Sequence, residues 1–170
     1  KAIVFITDEI SDKSWIEVEP MMKRGVYGVE GLNENIKEDI PVFWVKKENQ
    51  NWLKGNPQIT VNLQTETYKY PSVNIIGKIE GTDPKLKNVL LSGHQDHDGI
   101  RHPVKNDTIY NGADDNASTC VALLAMGRAY SKQPAKRSIL FVIHGAEERG
   151  LLGSRWHSAH PVVPRENIVV

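Results

Sequence analysis

The stretch Ser138-Ile-Leu-Phe-Val-Ile-His-Gly-Ala-Glu-Glu148 joins an uninterrupted apolar run to two adjacent carboxylates. A run without polar alternation from Ile139 to Ile143 is typical of a strand covered on both faces, as in a parallel sheet. Two acidic side chains beside such a strand favour a nearby cation or a protonated carboxyl group. The alternative is a solvated helix start. The stretch therefore predicts a buried strand of a parallel sheet and a candidate functional site at the end of that strand.

Outward from this run, residues 73–170 alternate between strand and helix patterns. The predicted elements are strands at 73–79, 89–91 and 138–143, helices at 117–130 and 148–158, and a further strand starting at Ile168. Asp115 or Asn116 is expected to cap the first helix, and residues 98–111 are expected to form a long polar loop. The alternation predicts right-handed crossovers and an α/β fold with a mostly parallel sheet flanked by helices.

Residues 1–70 have a different character, and Tyr70-Pro71 marks the expected boundary. The patterns predict a buried strand at 2–7, a polar segment without clear period at 11–35, a strand at 40–45, a short helix at 47–53 and an alternating strand at 58–68. These patterns predict a partial β-rich module before the α/β domain. Because the chain begins on one apolar strand and ends at the start of another, we expect it to be a fragment.

Composition excludes several classes of partner. Lys+Arg and Asp+Glu both number 21, so the formal net charge is zero, and no charge excess favours nucleic acid or an anionic membrane. No apolar run reaches the roughly 18 residues that a membrane span needs. The single cysteine, Cys120, has no partner for an internal disulfide and is interpreted as a small hydrophobic residue of the first helix.

Three polar groups occupy the ends of the predicted strands or the start of a helix: His94, the pair Asp114-Asp115 and the pair Glu147-Glu148. In an α/β sheet these positions converge on one edge, where ligands bind. Histidine, aspartate and glutamate brought together there can hold a divalent metal and activate water. One glutamate could bind metal while the other takes a proton from the water. Asp96, two residues after His94, is either a further ligand or a hydrogen-bond acceptor for the other ring nitrogen.

Residues 73–160 resemble the zinc aminopeptidases of metallopeptidase family 28. The blocks that carry the resemblance are Gly93-His-Gln-Asp-His97, Asn111-Gly-Ala-Asp-Asp-Asn-Ala-Ser118 and Gly145-Ala-Glu-Glu-Arg-Gly-Leu-Leu-Gly-Ser154. The resemblance implies a zinc exopeptidase fold with two zinc ions in a complete site. It implies that residues 71–170 are the N-terminal half of the peptidase domain.

The resemblance also implies a role for each matching residue. His94 would bind one zinc, Asp114 would bridge both, and Glu148 would bind the other. Glu147 would be the general base, and Asp96 would orient His94 without touching metal. The peptide bond before Asp115 is expected to be cis. One further aspartate and one further histidine, expected after Val170, would complete the two zinc sites.

The segment that follows His94 contains four candidates for lining a substrate pocket, and the alternative is that they belong to a solvated loop. They are His97, Asp98, Arg101 and His102. Residues 1–70 resemble the C-terminal part of a protease-associated domain, most clearly at 40–45. The resemblance implies an aminopeptidase acting on peptides or proteins, secreted or periplasmic, whose partner is the remainder of its own domain. The alternatives are a carboxypeptidase or glutaminyl cyclase of the same fold, or a non-catalytic binding module.

Overall fold

The computed structural model describes residues 2–32, 40–56 and 58–169. The chain divides into two compact units, one formed by Lys1–Val26 and Asn33–Tyr70, the other by Tyr27–Leu32 and Pro71–Val170. The strand expected from Ile168 is present, and its last predicted residue, Val170, lies outside the described residues. Within those residues, no helix is both long and apolar enough to span a membrane.

The first unit contains a two-stranded parallel sheet. Its elements are β1 (Ile3–Ile6), α1 (Glu9–Lys13), α2 (Trp15–Lys23), β2 (Val42–Val45), a 3₁₀ turn at Lys47–Asn49 and α3 (Gln50–Gly55). Both strands and α3 lie where the sequence patterns predict them. The side chains of β1 are exposed rather than buried, because a sheet of two strands has few neighbours to cover its faces.

Two predictions for the first unit are wrong. The described part of the polar segment at 11–35 contains the end of α1 and all of α2, and residues 33–35 lie outside the described residues. The N-terminus of α1 is capped by the Asp8 side chain, which accepts a hydrogen bond of 2.7 Å from the Ser11 main-chain N–H. The alternating segment 58–68 is not a strand. Alternation predicts which face of a strand would be buried, but a strand also needs a partner to complete its main-chain hydrogen bonds.

The second unit is built around a four-stranded sheet. Its elements are β3 (Ile75–Ile79), β4 (Asn88–His94), β5 (Gly99–Val104), β6 (Asp107–Tyr110), α4 (Ser118–Lys132), β7 (Ile139–His144), α5 (Leu152–Ala159) and β8 (Ile168–Val169). The sheet order is β3-β7-β4-β8. β4 pairs in parallel with β7 and β8, and β3 runs antiparallel to β7. The mostly parallel α/β sheet is therefore confirmed.

The core of this unit lies on β7, as its apolar run predicts. Leu140 is 1% exposed and Val142 is 0% exposed. Leu123 of α4 and Leu152 of α5 are also buried. Gly153 lies so close to the end of β7 that a Cβ there would be 2.2 Å from the Gly145 carbonyl oxygen. A residue without a side chain therefore allows α5 to approach the strand end.

The long polar loop expected at 98–111 is instead the β5–β6 hairpin. Lys105 and Asn106 connect its strands with φ angles of 50° and 69°. Two consecutive left-handed residues form the turn that matches the twist of paired strands. A lysine in the first position and Pro103 inside β5 concealed this hairpin at the sequence level.

Both helices flanking the sheet begin differently from their predictions. The N-cap of α4 is Ala117, with no side-chain cap bond, so neither Asp115 nor Asn116 caps it. The helix expected at 148–158 starts as a 3₁₀ turn at Glu147–Arg149 and becomes α5 only at Leu152. Gly150 and Leu151 separate the two segments because both have left-handed φ angles.

Candidate active site

The candidate site forms where β4 and β7 end side by side. His94 and His144 are the last residues of these parallel strands and are paired in register. The Glu147–Arg149 turn follows β7, and the turn containing Asp115 precedes α4. The carboxyl ends of parallel strands thus bring histidine and carboxylates to one edge of the sheet, as expected for a ligand site.

The His94 ring is held so that its Nε2 faces a carboxylate. Its Nδ1 lies 2.9 Å from the main-chain oxygen of Asp96, and because a carbonyl only accepts, Nδ1 must carry the proton. Its Nε2 lies 2.9 Å from Oδ1 of Asp115. Two acceptors at this separation require a proton or a cation between them.

His97 repeats this arrangement on the hairpin side of the site. Its Nδ1 lies 3.0 Å from the main-chain oxygen of Tyr110, so the neutral ring again carries its proton on Nδ1. Its Nε2 lies 3.7 Å from Oε1 of Glu148. Sequence reasoning identified His97 only as a candidate for pocket lining. The contact with Tyr110, which comes later in the chain, carries no sequence signal.

The potential ligand atoms of His97, Asp115 and Glu148 all lie within 4.8 Å of one another. His94 and Glu147 border this group, with His94 Nε2 3.8 Å from Glu147 Oε2. Imidazole nitrogen and carboxylate oxygen are the donors that zinc takes in catalytic sites. The residues present therefore fit a divalent transition metal by their chemistry and by their separation.

Asp96 holds the two glutamates through their main chain. Its Oδ1 accepts a hydrogen bond of 3.0 Å from the Glu147 N–H, and its Oδ2 accepts one of 3.2 Å from the Glu148 N–H. The contact with His94 comes from the main-chain oxygen of Asp96 rather than from its carboxylate. Ala146 directs the chain into this turn with a left-handed φ of 52°, a conformation that only a few per cent of non-glycine residues adopt.

The structure places Asp115, rather than Asp114, against the histidines. Both aspartates are exposed, but Asp114 is turned toward α4, where its main-chain oxygen accepts a hydrogen bond of 2.8 Å from the Ser118 hydroxyl. Adjacent side chains diverge, so only one of the pair can face His94. Gly112 begins this turn with φ 66°, and a Cβ there would lie 2.6 Å from both Asp115 O and His97 Cβ. The cis bond expected before Asp115 lies after it, between Asp115 and Asn116.

Glu148 lies in an environment that disfavours its charge. Burial raises the pKa of its carboxyl group, and the neighbouring Asp98, Glu147 and Asp115 carboxylates raise it further, while His97 lowers it. An excess of carboxylates at the edge of a buried strand is the arrangement that a bound cation would relieve.

His144, which is paired in register with His94, lies beside the ring of His157. We expect these two histidines to make the stability of the fold depend on pH. His144 and His157 are buried with ring centroids 5.7 Å apart. Burial lowers the pKa of both from 6.5, and for His144 the neighbouring His157 and His94 lower it further. Below about pH 6.5 the unfolded chain therefore binds more protons than the folded chain, and the free energy of unfolding falls.

The melting temperature of the purified protein should accordingly drop between about pH 7.5 and 5.5. A variant with both His144→Phe and His157→Phe should show a smaller drop. An equal drop in both proteins would mean that other groups account for the pH dependence.

Comparison with known proteins identifies the family. The sequence pattern of peptidase family M28 matches residues 74–170. A vacuolar membrane protease of Kluyveromyces lactis is 38% identical over 93 residues, which are 55% of this chain and 9% of that protein. Aminopeptidase YwaD of Bacillus subtilis is 34% identical over 125 residues, 73% of this chain and 25% of that protein.

A crystal structure of Bacteroides thetaiotaomicron glutaminyl cyclase bound to N-acetylhistamine has a TM-score of 0.47 and 28% identity, covering 57% of this chain and 39% of that chain. The chain thus spans only 9% and 25% of the length of the two curated relatives named above. All the candidate site residues lie inside the matched segment 74–170. The chain belongs to peptidase family M28.

Proposed function

We propose that this chain carries metal-binding and catalytic side chains of a zinc-dependent aminopeptidase that acts on peptides or proteins. The observation that carries the proposal is the pair of imidazole–carboxylate contacts at one sheet edge, His94 with Asp115 and His97 with Glu148. Membership of peptidase family M28 and the similarity to an aminopeptidase support the reaction class.

In this proposal the ligands from the sheet edge are His94, Asp115 and Glu148. Asp115 takes the bridging role first expected of Asp114. It contacts His94 and also belongs to the group with Glu148, so its two oxygens suit a carboxylate shared by two zinc ions. We propose that the remaining aspartate and histidine ligands come from the remainder of the peptidase domain.

Zinc, when bound, would supply a Lewis acid and lower the pKa of water to about 7. Glu147 then acts as the general base: it accepts a proton from the attacking water and returns that proton to the leaving amine. Its carboxylate lies beside His94, and Asp96 fixes its main chain. Separate residues thus hold the metal and move the proton.

We also propose that residues 1–70 belong to a protease-associated module and that the protein acts outside the cytoplasm, as the sequence resemblance implies. The module's expected contribution is to shape access of substrates.

Hydrolysis of aminoacyl nitroanilides, measured together with zinc content, tests the proposed function. We expect activity that is lost on chelation, restored by zinc, and absent with N-acetylated substrates, because an aminopeptidase recognises a free amino terminus. Release of C-terminal residues would indicate a carboxypeptidase, and cyclisation of N-terminal glutamine would indicate a glutaminyl cyclase. A protein without metal or activity would instead be a binding module.

A further inference from the structure

The β5–β6 hairpin begins and ends beside the candidate site. His97, whose Nε2 lies 3.7 Å from Oε1 of Glu148, comes two residues before β5, and Tyr110 is the last residue of β6. The His97 and Tyr110 rings stack with centroids 6.3 Å apart and planes 14° apart. The Arg101 guanidinium lies over the same tyrosine ring, 5.0 Å from its centroid. These contacts hold the first part of the hairpin at the edge of the site.

The next pair along the hairpin is apolar and largely exposed. Ile100 of β5 lies opposite Ile109 of β6, directly after the pair formed by Gly99 and Tyr110. The two isoleucines are 81% and 60% exposed. Side chains of directly opposite residues lie on one face of a strand pair and contact each other. Ile100 and Ile109 therefore form one exposed apolar patch close to the site.

The main chain at this pair is also open. The Ile109 N–H donates to the Asp107 side chain at 2.9 Å rather than to β5. Ile100 and Ile109 are therefore a non-hydrogen-bonded pair of the antiparallel ladder, in which the main-chain groups of both residues point away from the partner strand. Within the described ranges, β5 and β6 pair only with each other. Ile100 thus presents its N–H and C=O groups on an unpaired strand edge, whereas Asp107 occupies the corresponding donor of β6.

The far end of the β5 edge differs from the end near the site. Pro103 of β5 has no N–H to donate, and Lys105 follows in the turn. Proline and lysine are residues with which proteins prevent an edge strand from pairing with another chain. At Ile100, next to the site, the strand carries neither. An edge that is closed at its far end and open beside the site suits a ligand that extends from the site.

We propose that the open edge of β5 at Ile100 binds the substrate peptide as an additional strand, with Ile100 and Ile109 contacting one of its apolar side chains. The inference rests on the proposed aminopeptidase function and names its substrate class, which is extended, unfolded peptides. In strand addition, main-chain hydrogen bonds give affinity for any sequence, and contacts of alternate side chains give preference. Three residues of extended chain, the separation of His97 and Ile100, span about 10 Å. The bound part of the substrate therefore lies about three residues beyond the residue that is cleaved off.

Steady-state kinetics of the protein that includes the remainder of the peptidase domain tests the proposal with two substrates. An aminoacyl nitroanilide is too short to reach the hairpin, whereas a hexapeptide with apolar residues in its middle reaches Ile100. The double variant Ile100→Thr/Ile109→Thr keeps β-branched side chains but loses apolar contact. It should raise KM for the hexapeptide by about 5–10-fold and hydrolyse the nitroanilide as the wild type does.

Val104→Thr is the matched control for the double variant. It makes the same kind of change at an exposed residue of the hairpin, at the far end of β5. Its KM for both substrates should stay at the wild-type value. Melting temperatures show whether the double variant is folded.

Hexapeptides methylated on a single peptide nitrogen test the main-chain contacts without changing the protein, and they decide the question if the double variant does not fold. An added strand uses every second N–H for pairing. Methylation should therefore raise KM by about 3–10-fold, the loss of one hydrogen bond, at alternate positions only. An unchanged hexapeptide KM in the folded double variant, or methylation effects without this alternation, would overturn the inference and leave the proposed function intact. Absence of nitroanilide hydrolysis by the wild type would overturn both.

Discussion

Replacing Glu147 with glutamine is expected to lower kcat by about 10²–10⁴-fold, the usual contribution of a general base, while zinc content stays at the wild-type level. The amide is close in shape to the carboxylate but cannot accept the proton from water. The main-chain N–H of residue 147 remains free to donate to Asp96, so the turn should persist. Steady-state hydrolysis of an aminoacyl nitroanilide and elemental analysis, both on the protein that includes the remainder of the peptidase domain, measure the two quantities.

Glu148→Gln is the matched comparison, because it makes the same chemical change one residue later. This variant should lose bound zinc as well as activity, since Glu148 belongs to the potential ligand group. If Glu147→Gln loses zinc and Glu148→Gln keeps it, the roles of the two glutamates are reversed.

The second large effect is expected from Asp115→Asn. Removing a residue that only orients a metal ligand lowers metal affinity by about 10–100-fold. Because Asp115 is proposed to be a ligand itself, its replacement should lower zinc affinity by more than that. The Asp115 carboxylate faces His94 Nε2 at 2.9 Å, and we propose that two ions share it. A neutral amide binds zinc poorly. Titration calorimetry of the purified protein with Zn²⁺ measures the change.

Asp114→Asn provides the control for this experiment, because it makes the same chemical change in the adjacent side chain. Asp114 does not belong to the potential ligand group, so its asparagine variant should bind zinc as the wild type does. The opposite result, with zinc lost in Asp114→Asn and retained in Asp115→Asn, would return the bridging role to Asp114.

The central elements of the second unit could be predicted because their hydrophobic patterns are strong. The apolar run at 138–143 predicts β7, and the helical period at 117–130 predicts α4. The β5–β6 hairpin could not, because its turn residues, Lys105 and Asn106, lack the glycine that usually marks such turns. Its strands are also short and interrupted by polar residues.

The candidate site could be predicted to the level of residue type and location, but less well to the individual residue. An Asp-Asp pair indicates that a carboxylate is available at the turn before α4, yet the choice between Asp114 and Asp115 depends on backbone angles. The orientation of the His97 ring depends on its contact with the main-chain oxygen of Tyr110, which lies beside it because β5 and β6 form a hairpin. Long-range contacts of this kind have no local sequence pattern.

The two hydrogen bonds from Asp96 to the main chain of the glutamate turn have a consequence for how this site can evolve. They hold the backbone of residues 147 and 148 through amide N–H groups, which every amino acid except proline possesses. The shape of the turn is therefore insulated from the identity of its side chains. Side chains at these two positions can therefore change, proline excepted, while both hydrogen bonds from the turn to Asp96 remain.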